Sequence, residues 1–135
     1  MKILIAEDDF TSRLLLQEIL KNYGTCHVAV NGREAVTAAC SARQANEPYD
    51  LICLDIMMPE LDGHDALYQI RANEEEHGVI SNHGSKIMMI TALSDIKNVH
   101  EAYNNLCDGY LTKPIRKADL LDQLRQLKLI DEPLT

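Results

Sequence analysis

The stretch Leu51-Ile52-Cys53-Leu54-Asp55 decides the fold class, because four consecutive apolar residues lead directly into a carboxylate. A second stretch, Ile87-Met88-Met89-Ile90, has the same character and leads into Thr91. Neither alternates between apolar and polar residues, and such continuous apolar strands are typical of parallel sheets buried on both faces. The two stretches therefore predict an α/β fold.

Three further apolar runs, Lys2–Ala6, Cys26–Val30 and Tyr110–Thr112, alternate with segments of helical spacing. Thr11 or Ser12 is the expected N-cap of the first helix, and Asn31 with Glu34 forms a predicted capping box for the second. The other predicted bounds are Thr11–Tyr23 for the first helix, Gly63–Glu76 for the third, Ser94–Leu106 for the fourth and Ala118–Lys128 for the fifth. Strand followed by helix, five times over, predicts a parallel sheet with helices on both faces, because crossovers between parallel strands are right-handed.

The charge balance restricts the kind of ligand. The 135 residues carry a net charge of −8 with a pI near 5.0, and no basic patch stands out. Nucleic acids and anionic membranes attract basic surfaces, so neither is expected as a direct ligand. A divalent cation suits this acidic chain better.

The length fits one domain with a single core. The four cysteines form neither a CxxC pair nor a zinc-binding pattern, which favours buried thiols in a reducing compartment. The N-terminal apolar run is interrupted by acids, and no stretch approaches the roughly 20 apolar residues that span a bilayer. We therefore expect a cytoplasmic protein.

Polar side chains follow four of the five predicted strands. Because the carboxyl ends of parallel strands lie at one edge of the sheet, where open α/β folds bind ligands, we expect these side chains to meet in one crevice. They are Glu7, Asp8 and Asp9 after the first strand, Asp55 after the third, Thr91 after the fourth and Lys113 after the fifth.

Several motifs, taken in their order along the chain, resemble those of the receiver domain of two-component response regulators. They are Asp8-Asp9, Asp55 to Pro59 with Asp62-Gly63, Thr91-Ala92, and Tyr110 three residues before Lys113-Pro114. The resemblance covers nearly the whole chain. It implies a flavodoxin-like, doubly wound sheet of five parallel strands in the order 2-1-3-4-5 with five helices, and a single receiver domain over residues 1–135 without an output domain.

The resemblance also implies a metal site and a phosphoacceptor. Asp55 would accept the phosphoryl group, and Mg²⁺, or Mn²⁺, would bind directly to Asp9 and Asp55. Asp8 would act largely through a bound water, and Met57 would contribute its backbone carbonyl.

Other roles implied by the resemblance concern the phosphoryl oxygens and the switch. Lys113, oriented by a cis bond to Pro114, would stabilise one oxygen, while the Thr91 hydroxyl and the Ala92 amide would donate to another. Phosphorylation would draw Thr91 inward, and Tyr110 would rotate into the space that this movement leaves.

The implied function is a phosphorelay switch that accepts a phosphoryl group from a sensor histidine kinase or histidine phosphotransfer protein. It would catalyse only its own phosphorylation and dephosphorylation, and would signal to an unknown downstream protein as a monomer or weak homodimer.

Three alternatives have weaker support in the sequence. Intact Asp9, Asp55 and Lys113 argue against a receiver-like scaffold that does not switch. An aspartyl-nucleophile phosphatase needs a second Asp two residues after the nucleophile, where this chain has Met57. A flavodoxin-like cofactor binder would need a Gly-rich phosphate loop after the first strand, and none is present.

Further expectations concern residues near and far from this site. Apolar Met57 and Leu93 would flank the approach of a hydrolytic water, which predicts a long-lived phosphoryl group. The five histidines belong to no ligand motif, and Glu74-Glu75-Glu76 is expected to be a solvated helix end. The segment from Asn73 to Lys86 is longer than usual for the family and has no assigned role.

Overall fold

The computed structural model describes the backbone of residues 1–80, 83–103 and 106–131, and the side chains of these residues except 100–103. Within these ranges, five parallel strands form one sheet in the order β2-β1-β3-β4-β5. The strands are β1 Lys2–Ala6, β2 Thr25–Ala29, β3 Leu51–Asp55, β4 Lys86–Ala92 and β5 Gly109–Lys113. The helices are α1 Phe10–Leu20, α2 Gly32–Gln44, α3 Gly63–Glu76, α4 Ile96–Tyr103, preceded by a 3₁₀ turn at Leu93–Asp95, and α5 Lys117–Gln126. The predicted α/β architecture and strand order are confirmed.

The core has two layers, one on each face of the sheet. Leu51, Ile52, Cys53 and Leu54 are all fully buried, as their uninterrupted apolar run predicted. Alternate residues along this strand point to opposite faces. Ile52 and Leu54 join the cluster that packs against α2 and α3, whereas Leu51 and Cys53 join the cluster that packs against α1 and α5.

The helix starts correct one prediction and confirm another. Asp9, rather than Thr11 or Ser12, is the N-cap of α1, and its Oδ2 accepts a hydrogen bond of 2.9 Å from the Ser12 amide. At α2 both side chains of the expected capping box accept hydrogen bonds at the helix start: Asn31 Oδ1 accepts from the Glu34 amide at 2.8 Å, and Glu34 Oε1 accepts from the amide of Val30, one residue before the cap, at 3.1 Å.

The ends of α1 and α4 also differ from the predicted bounds. Helix α1 ends at Leu20, three residues before the predicted end at Tyr23. The predicted fourth helix, Ser94–Leu106, begins instead as the 3₁₀ turn and continues as α4 to Tyr103. Residues 104 and 105 of that prediction lie outside the described residues.

The end of α3 is only in part the solvated acidic segment that we expected, because Glu75 and Glu76 are exposed and Glu74 is not. Glu74 is only 6% exposed. Its carboxylate lies 2.8 Å from Arg71 Nη1 and 3.2 Å from Arg43 Nη2, and it accepts a 2.8 Å hydrogen bond from the Ser85 amide. The longer segment before β4 is therefore attached to α2 and α3 by a buried ion cluster.

Candidate functional site

Four strands bring the predicted functional residues together at the carboxyl edge of the sheet. Asp55 is the last residue of β3, whose neighbours are β1 and β4. The chain after β1 stays extended for one further residue, because the Glu7 amide donates a 3.0 Å hydrogen bond to the Ala29 carbonyl. Lys113 ends β5 and is paired in register with Ala92 of β4. These strand ends place side chains from distant segments around Asp55.

Lys113 contacts two carboxylates at this edge. Its Nζ donates a hydrogen bond of 3.2 Å to Asp55 Oδ2 and lies 2.8 Å from Glu7 Oε1. The Lys113–Pro114 peptide bond is cis, as expected from the resemblance. Asp55 is 2% exposed and Glu7 is fully buried, so the Lys113 ammonium contacts two carboxylates that are almost completely shielded from water.

Glu7 was expected at this edge of the sheet, but it was not predicted to be a metal ligand. Its carboxylate oxygens, with those of Asp8 and Asp55, lie within 4.8 Å of one another. Despite the short distance to Lys113, neither Glu7 oxygen accepts a hydrogen bond of good geometry from the described residues. The 2.8 Å contact is an ion pair, and it leaves buried acceptor capacity on Glu7 unused.

Asp9 differs from its predicted placement. It lies outside the acidic group of Glu7, Asp8 and Asp55, and its carboxylate is occupied by the Ser12 amide at the start of α1. The hydrogen bond to this amide lowers the pKa of Asp9. The acidic pair after β1 is thus Glu7-Asp8 instead of the expected Asp8-Asp9.

The electrostatics of the site favour an added cation. Burial, together with the contact and charge of Glu7, raises the pKa of Asp55 from 3.8 to about 7, although Lys113 acts in the opposite direction. Burial lowers the pKa of Lys113, but its contacts with Glu7 and Asp55 outweigh burial and raise it overall. Crowded oxygen ligands with excess negative charge are the donor set that a hard divalent cation such as Mg²⁺ prefers. The residues present therefore fit such an ion.

A cavity of about 420 Å³ opens beside Asp55. Thr91, 5% exposed at the end of β4, lies in its wall, as does the start of the loop after β3. The Met57 amide donates a 3.4 Å hydrogen bond to Asp55 Oδ1, while the Met57 side chain is 79% exposed. The wall consists of Asp55, Ile56, Met57, His64, Thr91, Ala92, Asp95, Asn98, Val99 and Lys113.

The structure brings most, but not all, predicted residues to this cavity. Thr91, Ala92 and Met57 line it with Asp55 and Lys113. Tyr110 does not line it; the ring is half-buried and packs against the core cluster beneath α4. His64, the second residue of α3, is in the wall, although no role was predicted for it. Its position beside a helix cap at Asp62 carried no motif that would have identified it.

The acidic edge of this doubly wound sheet, with a lysine facing a buried aspartate, places the chain among the α/β domains that have a charged site at the carboxyl ends of their strands. Residues 3–125 match the response regulator receiver domain. The chain belongs to this family, whose members act as signalling switches rather than classical enzymes.

Curated relatives are similar over nearly the whole chain. The hybrid signal transduction histidine kinase B of Dictyostelium discoideum is 36% identical over 129 residues, which is 91% of this chain and 6% of that protein. The regulatory protein VanRB of Enterococcus faecalis is 33% identical over 131 residues, which is 94% of this chain and 52% of that protein. The chain thus spans about half, or much less, of these relatives.

Solved receiver domains have the same fold. The receiver domain of the Saccharomyces cerevisiae response regulator Ssk1, crystallised with the histidine phosphotransfer signalling protein Ypd1, is 27% identical with a TM-score of 0.78 and covers 94% of this chain and 88% of its own. The receiver domain of sensor histidine kinase PA1611 from Pseudomonas aeruginosa is 29% identical with a TM-score of 0.72, covering 94% and 97%. Its structure has a magnesium ion coordinated in the active site cleft.

No helix among the described residues is long and apolar enough to cross a membrane.

Proposed function

We propose that Asp55 accepts a phosphoryl group from a phosphohistidine on a sensor histidine kinase or a histidine phosphotransfer protein. The observation that carries this proposal is the 3.2 Å contact between Lys113 Nζ and Asp55 Oδ2, beside the acidic group formed with Glu7 and Asp8. In the transfer, an Asp55 oxygen forms a bond to phosphorus while the bond between phosphorus and the imidazole nitrogen breaks. The electron pair of that bond leaves with the imidazole, so the product is an acyl phosphate.

The residues around Asp55 supply positioning and charge. Lys113 stabilises one phosphoryl oxygen, and the Thr91 hydroxyl and Ala92 amide donate to another, because charge in phosphoryl transfer spreads over these oxygens. Glu7, Asp8 and Asp55, with the backbone carbonyl of Met57, would hold a Mg²⁺ or Mn²⁺ ion. When bound, that ion supplies positive charge that offsets the carboxylates and the phosphoryl group.

The Ssk1 receiver, which is similar to this chain, was crystallised with a histidine phosphotransfer protein. This supports the proposed donor class. The output, in our proposal, is a shift between two conformations in which Thr91 and Tyr110 move, read by a downstream protein partner. Self-association, if it contributes, is that of a weak homodimer.

Intact-mass measurement after incubation with acetyl phosphate and Mg²⁺ tests the phosphoacceptor. We expect the wild type to gain the mass of one phosphoryl group and Asp55→Asn to gain none. Asp50→Asn is a control, since Asp50 precedes the same strand at its opposite end. An unmodified wild type would instead support the receiver-like scaffold that does not switch.

The Lys113→Met variant distinguishes the role of Lys113, which is to position and stabilise the phosphoryl group, from the role of Asp55, which is to accept it. We expect this variant to be phosphorylated much more slowly than the wild type, because the fixed cation at Asp55 is removed while the acceptor remains. Equal rates for the two proteins would contradict the role proposed for Lys113.

A further inference from the structure

Arg13 of α1 donates hydrogen bonds to the main chain of the acids that lie at the sheet edge. One of its guanidinium nitrogens, Nη1, lies 3.1 Å from the Glu7 carbonyl oxygen and 3.4 Å from the Asp8 carbonyl oxygen. The Arg13 backbone amide donates to the next carbonyl, that of Asp9, at 2.9 Å. A single residue therefore binds three successive carbonyl groups of the segment between β1 and α1.

The two ends of this segment are held by other contacts. At its start the Glu7 amide donates to the Ala29 carbonyl of β2, and at its end the Asp9 carboxylate caps α1. The bonds from Arg13 Nη1 hold the peptide groups between these ends. Those peptide groups are the ones from which the carboxylates of Glu7 and Asp8 project.

The guanidinium group of Arg13 is oriented by the first turn of α1. Its central carbon lies 5.5 Å from the centre of the Phe10 ring, which is within the range of a cation–π contact. The Arg13 side chain is half-buried, whereas Phe10 is 66% exposed. An arginine suits this place because its planar group lies against an aromatic ring and donates hydrogen bonds at the same time.

The orientation of these peptide groups matters for the proposed metal site. Carboxylate oxygens of Glu7, Asp8 and Asp55 lie within 4.8 Å of one another, although they come from different strands. A rotation of the peptide groups at Glu7 or Asp8 would move their carboxylates relative to Asp55. Residues that hold metal ligands in place from outside in this way commonly contribute to metal affinity.

We propose that Arg13 is a positioning residue for the metal ligands Glu7 and Asp8, because it fixes the main chain from which their carboxylates project. This inference rests on the proposed function for the metal site, but not for the phosphoacceptor. The positive charge of Arg13 by itself repels a divalent cation. Its effect through position and its effect through charge therefore have opposite signs, and the sign observed on removing Arg13 distinguishes them.

Calorimetric titration of the unphosphorylated protein with Mg²⁺, repeated with Mn²⁺, tests the inference. Arg13→Met removes the charge and both side-chain hydrogen bonds but keeps an unbranched side chain. We expect this variant to bind Mg²⁺ roughly ten-fold more weakly than the wild type, although a repelling charge has been removed. Arg13→Lys keeps the charge and a compact donor, so its affinity should lie between those of Arg13→Met and the wild type.

Two matched variants of the same helix control for its stability and for charge. Leu14→Gly weakens α1 at an exposed position, and Lys21→Met removes a positive charge at the far end of the helix. Both should bind Mg²⁺ as tightly as the wild type, even where Leu14→Gly lowers the urea midpoint. Circular dichroism establishes that each variant is folded, and Arg13→Gln, which is also neutral, replaces Arg13→Met in the comparison should the latter fail to fold.

The outcomes separate this inference from the proposed phosphoacceptor. Binding of Mg²⁺ by Arg13→Met that equals or exceeds that of the wild type would overturn the inference, as would a wild type that binds neither Mg²⁺ nor Mn²⁺. An equal loss of affinity in Leu14→Gly would also overturn it, because Arg13 would then act only through the stability of α1. Weaker binding by Arg13→Met alone, in a protein whose wild type gains no phosphoryl group from acetyl phosphate, would uphold the inference and reject the phosphoacceptor.

Discussion

Replacing Asp55 by asparagine should stabilise the metal-free protein, although it removes the proposed phosphoacceptor. Burial and Glu7 raise the pKa of Asp55 from 3.8 to about 7, with Lys113 opposing them. A carboxyl whose pKa is higher in the folded state than in the unfolded chain binds more protons when folded, so its ionisation opposes folding as pH rises. Asparagine has nearly the same shape and carries no charge that must be desolvated.

The size of the effect follows from this difference in pKa. A shift from 3.8 to about 7 corresponds to at most about 4 kcal/mol once the pH exceeds both values. The substitution also leaves Lys113 with one carboxylate contact instead of two, which offsets part of the gain. We therefore expect Asp55→Asn to raise the free energy of unfolding by about 2 kcal/mol near pH 8.

Urea unfolding in EDTA, followed by circular dichroism, measures this difference. The advantage of Asp55→Asn should be small below about pH 4, grow between about pH 4 and 7, and then level off. Asp131→Asn, at an exposed position beyond α5, should show no such dependence. Mg²⁺ should then stabilise the wild type more than the variant, because a ligand that binds the folded state stabilises it.

A variant less stable than the wild type in EDTA at about pH 8 would refute the reasoning. It would mean that the contact between Asp55 and Lys113 outweighs the desolvation of the carboxylate and the proximity of Glu7. A difference that stays constant across the pH range would also count against it, because the argument requires the proton on Asp55 to be the cause.

Three other predictions concern the acids and the loop after β3. Asp8→Ala should abolish Mg²⁺ binding measured by calorimetry, whereas Asp9→Ala should retain it and lower the urea midpoint through loss of the α1 cap; the reverse pattern would restore Asp9 as the ligand. Met57→Asn should lose the phosphoryl group faster than the wild type in a mass-based time course, and an equal or slower loss would contradict the shielding role of the apolar side chain. Glu74→Gln should cost about 2 kcal/mol in urea unfolding because two arginines lose a buried partner, while exposed Glu75→Gln should be neutral.

The architecture could be predicted from the sequence because the patterns that indicate strands and helix starts are local and recur along the chain. Strands buried on both faces need continuous apolar runs, and Leu51–Leu54 and Ile87–Ile90 satisfy that requirement without help from distant residues. Asn31 and Glu34 could be assigned because both members of a capping box lie within one turn. Residues at strand ends, such as Asp55 and Lys113, could be brought together because parallel strands share one carboxyl edge.

Contacts that depend on tertiary packing could not be predicted from local sequence patterns. The sequence gives no reason for one acid of Glu74-Glu75-Glu76 to be buried, because the burial depends on Arg43 of α2, 31 residues away. Glu74 was expected to be a solvated surface acid for this reason.

The difference between the predicted and the observed position of Asp9 has a single local cause. Three consecutive acids follow β1, and only one of them can be the residue that immediately precedes the helix. The prediction began α1 at Thr11 with a hydroxyl cap, which left Asp8 and Asp9 free for the site. In the structure the helix begins at Phe10, so Asp9 becomes the cap, and the acids available to the sheet edge are Glu7 and Asp8. A difference of one residue in the helix start therefore shifts by one residue the acids that lie at the sheet edge, because the cap and the site draw on the same short run of carboxylates.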